Sequence, residues 1–149
     1  MTVTKGMPKA QIELAGKRYD LRFDIDSMAE IENESEEMKR KSFYLLLDAP
    51  YDIREQTIML MAGINGAKRD KGDFALLNLS GAKALLQSHF DYLRDKQITT
   101  DEWKHAMTLV NLAIMEAARL GAGLVPPSPR ATKKEQATEN EPPSATNSP

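Results

Sequence analysis

Apolar residues recur first at every second position and then at every third or fourth, and this change of period divides the chain. Tyr19, Leu21 and Phe23 alternate with Arg18, Asp20, Arg22 and Asp24, the pattern of a strand with one buried face. Ile12 to Leu14 predicts a strand before it. Ala15-Gly16 between the two predicts a tight hairpin turn, with Gly16 supplying a positive φ. A lone two-stranded ribbon is marginal in water, so its apolar face must lie on other elements.

Those elements read as helices. Ser27-Met28-Ala29-Glu30 matches a capping box, in which Ser27 and Glu30 answer amides left free at a helix start. Ile25, Met28, Ile31 and Met38 mark the buried side of this first helix. Its other side is acidic through Glu30, Glu34, Glu36 and Glu37, followed by Lys39, Arg40 and Lys41. A second helix carries Phe43 to Leu47 and stops before Pro50, which disfavours a helical Ala49.

A third helix runs from Ile53 to Ala67. Ile53, Leu60 and Ile64 form one stripe while Ile58, Met59 and Ala62 fall on other sides, the all-round pattern of a central helix. Gly63 to Gly72 reads as a polar turn. Ser80 caps a fourth helix with the stripe Ala82, Leu85, Leu86, His89, Phe90 and Leu93. Thr99 and Glu102 form a second capping box ahead of the longest helix. Its stripe is Trp103, Ala106, Met107, Val110, Ile114 and Ala117, and Gly121 is its stop. The fold class is α+β: an N-terminal β-hairpin packed on a small bundle of about five helices.

Composition sets the domain boundary. Of 149 residues, six of the eight prolines lie at or beyond Pro126, and Val125 is the only large apolar residue between positions 125 and 149. Arg130, Lys133 and Lys134 balance Glu135, Glu139 and Glu141. Such a segment cannot offset the roughly 1–2 kcal/mol per residue lost on fixing a backbone. Residues 1–124 therefore read as one folded domain and 125–149 as a disordered Pro-rich tail.

The formal charge is −2, from 20 Lys plus Arg against 22 Asp plus Glu, without the clustered basic excess of a phosphate-backbone binder. Zero cysteines exclude disulfides, thiolate metal sites and cysteine nucleophiles, and fit a reducing compartment. No apolar run approaches the roughly 18–20 residues of a membrane helix. Lys5 and Lys9 are not followed by the apolar block of a secretory signal. The expectation is a soluble, cytosolic protein with no nucleic-acid or membrane partner.

Candidate chemistry is sparse. Gly63-Ile64-Asn65-Gly66-Ala67-Lys68 is a faint likeness of a phosphate loop, but it lacks the spacing and the Lys-Ser/Thr ending and follows a helix. His89 falls in an apolar stripe and reads as packed; His105 reads as a surface residue. The acids between Glu30 and Glu37 read as a solvated face, since no Asp-x-Asp-x-Asp-Gly loop accompanies them. Asp101 and Glu102 suit a helix N-terminus, and Lys133-Lys134 is too short for a nucleic-acid patch. Nothing gathers an acid, a base and a pocket, so no enzyme activity, metal or cofactor is expected.

Apolar surplus is the stronger signal. On the longest helix, Leu112 and Met115 project roughly opposite the Trp103–Val110–Ala117 stripe at about 100° per residue, and Leu109 and Leu120 flank it. Either the helix is sandwiched inside the core, or Leu109, Leu112, Met115 and Leu120 form a docking surface for another chain or a second copy. Flexible methionines, eight in all, suit varied apolar partners, Met115 more than Met59 or Met107.

The stretch Ile12-Glu13-Leu14-Ala15-Gly16-Lys17-Arg18-Tyr19-Asp20-Leu21-Arg22-Phe23, followed by Asp24-Ile25-Asp26-Ser27-Met28-Ala29-Glu30-Ile31-Glu32, resembles the opening of the tail assembly chaperones of long-tailed bacteriophages, prophages and gene transfer agents. That pattern is a short strand, a Gly-Lys turn, an alternating strand, and an Asn- or Asp-led helix with a Glu-Ile-Glu-like step. Between Met38 and Leu120 only the order of helices agrees. Asn33-Glu34-Ser35-Glu36 stands where family members often carry a glycine.

The resemblance implies a non-catalytic assembly factor. It would bind and solubilise the tape measure protein in the host bacterial cytoplasm, promote assembly of the tail tube protein and be absent from the mature virion. It also implies a longer form made by frameshifting near the end of the short reading frame; if a slippery run encodes Lys133-Lys134, the Pro-rich tail is the tether to that extension. The competing reading is a minor tail-completion or connector protein, retained in the particle. A helix-turn-helix regulator is a third, disfavoured because the Leu79–Gly121 helices lack a basic face.

Overall fold

The computed structural model of the chain describes residues 10–124. The tail reading for 125–149 lies outside the described residues. Strands β1 (Ala10–Leu14) and β2 (Lys17–Leu21) pair antiparallel, with Ile12 opposite Tyr19 and Leu14 opposite Lys17. Five helices follow: α1 (Ile25–Asn33), α2 (Glu36–Leu45), α3 (Ile53–Asp70), α4 (Leu79–Asp95) and α5 (Thr100–Gly121). The class is α+β. No helix among the described residues is long and apolar enough to cross a membrane.

The hairpin follows its alternation. Ala10, Ile12 and Leu14 are buried while Gln11 and Glu13 are exposed. Its two-residue turn needs left-handed backbone at both positions, so Ala15 (φ +52°) shares the strain with Gly16 (φ +80°). Phe23 belongs to neither strand; pairing ends at Leu21, and the chain then crosses onto α3.

The crossing corrects the reading of Gly63 to Gly72 as a polar turn. Every residue from Glu55 to Ala67 is buried, and α3 continues to Asp70. The glycines make a notch in this central helix. A Cβ on Gly63 would stand 2.9 Å from the Phe23 ring, and one on Gly66 1.8 Å from the Arg22 carbonyl oxygen. The Arg22 amide donates to the Gly63 carbonyl at 2.9 Å. Gly121 on α5 closes the other side, where a Cβ would stand 2.4 Å from the Phe23 carbonyl oxygen. Phe23 thus sits between two glycine-bearing helices, with the Phe43 ring 5.7 Å away.

Helix boundaries shift where side chains expected to cap are used elsewhere. Asp24, not Ser27, caps α1 by accepting the Ser27 amide at 2.8 Å. Ser27 turns inward and donates to the Ala62 carbonyl at 2.8 Å. Ile25, expected on the buried side, is 75% exposed. Ser35 starts a new helix, so Met38 and Phe43 share α2, which is interrupted at Ser42 (φ +59°). Asp52 and Glu55 form a capping box on α3, which leaves Ile53 exposed in the first turn. Asn78 rather than Ser80 caps α4.

The Thr99–Glu102 box on α5 is present in both directions. Gly121 is the last helical residue, and the left-handed stop falls on Gly123 (φ +88°). There the Gly123 amide donates to the Leu120 carbonyl and the Leu124 amide to that of Arg119, the paired bonds of a Schellman end.

Helix propensity alone favours Gly66→Ala by about 1 kcal/mol. The collision with the Arg22 carbonyl should reverse the sign, with destabilisation of roughly 2–4 kcal/mol in urea unfolding. An unchanged or raised urea midpoint would show that the notch does not constrain the fold.

Candidate functional site

Helix α5 buries Met107, Val110, Ile114, Ala117 and Ala118, one face at helical period. Trp103, expected on that face, is 44% exposed. It lies in the first turn, where the helix overhangs the core, and its ring meets Phe90 of α4 at 6.4 Å.

The four candidate partner residues divide. Leu109 is 52% and Leu112 45% exposed, whereas Met115 and Leu120 are half-buried against the core. At about 100° per residue, Leu112 lies some 60° from both Leu109 and Met115, which therefore occupy opposite flanks. Met115 falls between Asn111 and Arg119 on that wheel. Asn111 accepts the Tyr51 amide at 3.0 Å, and Arg119 donates to the Leu47 carbonyl at 2.9 Å. Met115 thus faces the segment that covers this flank. Leu109, Leu112 and Leu120 share the other.

Beside Leu109 lies a groove of about 260 Å³ between β1, α4 and α5, bordered by Ile12, His89, Tyr92, Lys96 and Ala106. His89 is 7% exposed, and its Nδ1 accepts the Ala15 amide at 2.9 Å. It therefore holds the strained hairpin turn in its neutral form. Burial pushes its pKa below the ordinary histidine value, opposed by the charge of Glu13. Tyr92 stacks on His89, and Lys96 Nζ stands 4.7 Å over the tyrosine ring. A second groove, of about 410 Å³, opens where α4 and α5 diverge, lined by Phe90, Leu93, Ile98 and Trp103.

Other polar side chains join the elements to one another. Arg69 donates to Asp24 at 2.9 Å and to Ser27 Oγ at 3.0 Å, and pairs with Glu30 at 3.4 Å. Burial raises the Asp24 carboxyl, but hydrogen bonds from Arg69 and Ser27 outweigh it and hold it below the usual aspartate value. Asn65, fully buried, donates to Glu30 and the Leu77 carbonyl and accepts the Leu77 amide at 2.7 Å. Glu30, read as part of a solvated acidic face, thus joins this network. Among the described residues no three His, Cys, Asp or Glu side chains are grouped to hold a metal ion. His105 is exposed.

Sequence reasoning missed Tyr92, Lys96 and Ile98 as groove residues. The signal was the Lys96–Thr99 linker: short connections force two helices together at one end, and bulky residues beside it line the opening between them. No protein-family model, curated protein or solved structure matches the chain.

Because the unfolded chain protonates His89 before the folded form does, the stability it contributes is complete above about pH 6.5. It should fall as pH drops through that value and level off once the folded form titrates. Melting followed by circular dichroism from pH 7 to pH 5 should show the decline, and His89→Asn, which keeps an acceptor near Nδ1, should flatten it. An equal slope in both proteins would remove His89 as its source.

Proposed function

We propose that this chain is a tail assembly chaperone of a long-tailed phage or related element, working in the host bacterial cytoplasm. It would bind and solubilise the tape measure protein, hand it to assembling tail tube protein without catalysis, and stay out of the mature virion. The observation that carries this reading is the exposure of Leu109 and Leu112 beside half-buried Leu120 on the longest helix. An amphipathic partner helix presents anchors at three- and four-residue spacing and needs a matching apolar strip on a stable body. Covering such faces keeps a long helical client from aggregating, because binding competes with self-association.

The resemblance of Ile12 to Glu32 supports the same reading, and so does the order of hairpin and helices. In the proposed scheme the hairpin anchors α5 from beneath, so that its outer flank remains available. A frameshifted longer form would extend the chain beyond this strip toward the tube.

Leu109→Asp and Leu112→Asp should each leave the melting temperature nearly unchanged, since both side chains face solvent, and together should abolish recovery of soluble tape measure protein on co-expression. Met115→Asp should instead lower the melting temperature, because that side chain is half-buried against the core. Full recovery of soluble client by the folded Leu109→Asp/Leu112→Asp protein would refute the reading.

A further inference from the structure

Helix α2 is broken by a backbone conformation that its sequence does not call for. Ser42 stands at φ +59° and ψ 161°, a region in which a side chain is strained and which is essentially confined to glycine. No glycine or proline lies between Glu36 and Ala49, so local propensity favours an unbroken helix. In an unbroken helix Leu45 falls about 20° from Met38 on the wheel, and Phe43 about 140° away. The break reverses that arrangement. Phe43 is buried with its ring 5.7 Å from that of Phe23, while Tyr44 is 74% and Leu45 56% exposed.

Such strain persists only where the surroundings over-determine it, and here the clamps can be named. Before Ser42, Lys41 pairs with Glu55 of α3. After it, the Phe43 ring sits on Phe23, and the Leu47–Tyr51 segment is bonded to α5 through Arg119 and Asn111. Arg119 donates to the Leu47 carbonyl at 2.9 Å and pairs with the exposed Asp48, and Asn111 accepts the Tyr51 amide at 3.0 Å. Met115 lies half-buried on the flank of α5 that this segment covers.

We infer that Leu47–Tyr51 is a strap that opens when Ser42 relaxes into helix. Straightening α2 turns Leu45 inward in place of Phe43 and lifts the strap from α5. That adds Met115 and its flank to the Leu109–Leu112 strip. Opening loses the Phe43–Phe23 contact and the bonds from Arg119 and Asn111, and the release of strain at Ser42 offsets part of that loss. The open form is therefore a local excursion that leaves the hairpin and α3 in place. Use of the widened strip by a client rests on the chaperone reading; the opening itself does not.

Hydrogen exchange in the full chain, without client, tests the opening. The Tyr51 amide should exchange at least about a hundredfold faster than the Leu60 amide in the middle of α3, at a rate insensitive to low urea. Ser42→Gly removes the strain and should slow Tyr51 exchange roughly tenfold, whereas Ser42→Val, with a branched side chain, should quicken it. Exchange of Tyr51 in step with Leu60 at every urea concentration would mean that the strap opens only with the whole fold, and would overturn the inference. So would an unchanged rate in Ser42→Gly. On co-expression, Ser42→Gly should recover less soluble tape measure protein than the unaltered chain, and equal recovery would overturn the strap's part in client binding. No recovery by the unaltered chain, with exchange as expected, would instead sink the chaperone reading and leave the strap standing.

Discussion

The fold depends on one close approach of main chain to main chain. The segment Arg22-Phe23 leaves the hairpin and is pressed against α3 at Gly63 and Gly66 and against α5 at Gly121. No side chain larger than hydrogen fits at Gly66, where the Arg22 carbonyl takes the space a methyl would need. Because the Phe23 ring fills the gap this creates, hairpin, central helix and last helix are fixed by a single residue and its preceding peptide. Packing of this kind transmits displacement rather than absorbing it.

That junction orients the outer surface. With β1 held beneath α4 and α5, the two helices can diverge from the Lys96–Thr99 linker and leave grooves on either side of Leu93. His89 and Tyr92 secure the hairpin tip from α4, so the floor of the inner groove is pinned to that helix while its rim carries Leu109 and Lys96. Polar side chains join the elements: Arg69 gathers α1 to α3, and Asn111 ties α5 to Tyr51 and to Gln56 of α3.

The sequence is most legible where local and tertiary demands coincide. Ile12, Leu14 and Leu21 alternate and are buried; Thr99 and Glu102 cap as their spacing requires; Met107, Val110, Ile114 and Ala117 hold one face. It is least legible where a residue serves a distant partner. Ser27 and Glu30 have the spacing of a box, yet both turn to α3. Glycines at 63 and 66 signal a turn by composition, whereas a helix tolerates them when a neighbouring backbone must come near. Trp103 keeps the buried phase but overhangs the core, and Met115 differs from Leu109 only through the Leu47–Tyr51 segment, which no periodicity reveals.

Asn65 immediately precedes Gly66, and asparagine before glycine is the pair most prone to hydrolytic loss of its amide when the backbone is free to bend. Inside α3 the amide is shielded and spends both its hydrogens and its oxygen on Glu30 and Leu77. In an unfolded chain it has no such protection. Conversion to a carboxylate would then set negative charge against the Glu30 carboxylate and the Leu77 carbonyl, at a site closed to solvent. Each excursion from the native state therefore ages the molecule at its own centre, and time spent unfolded becomes a chemical record that refolding cannot erase.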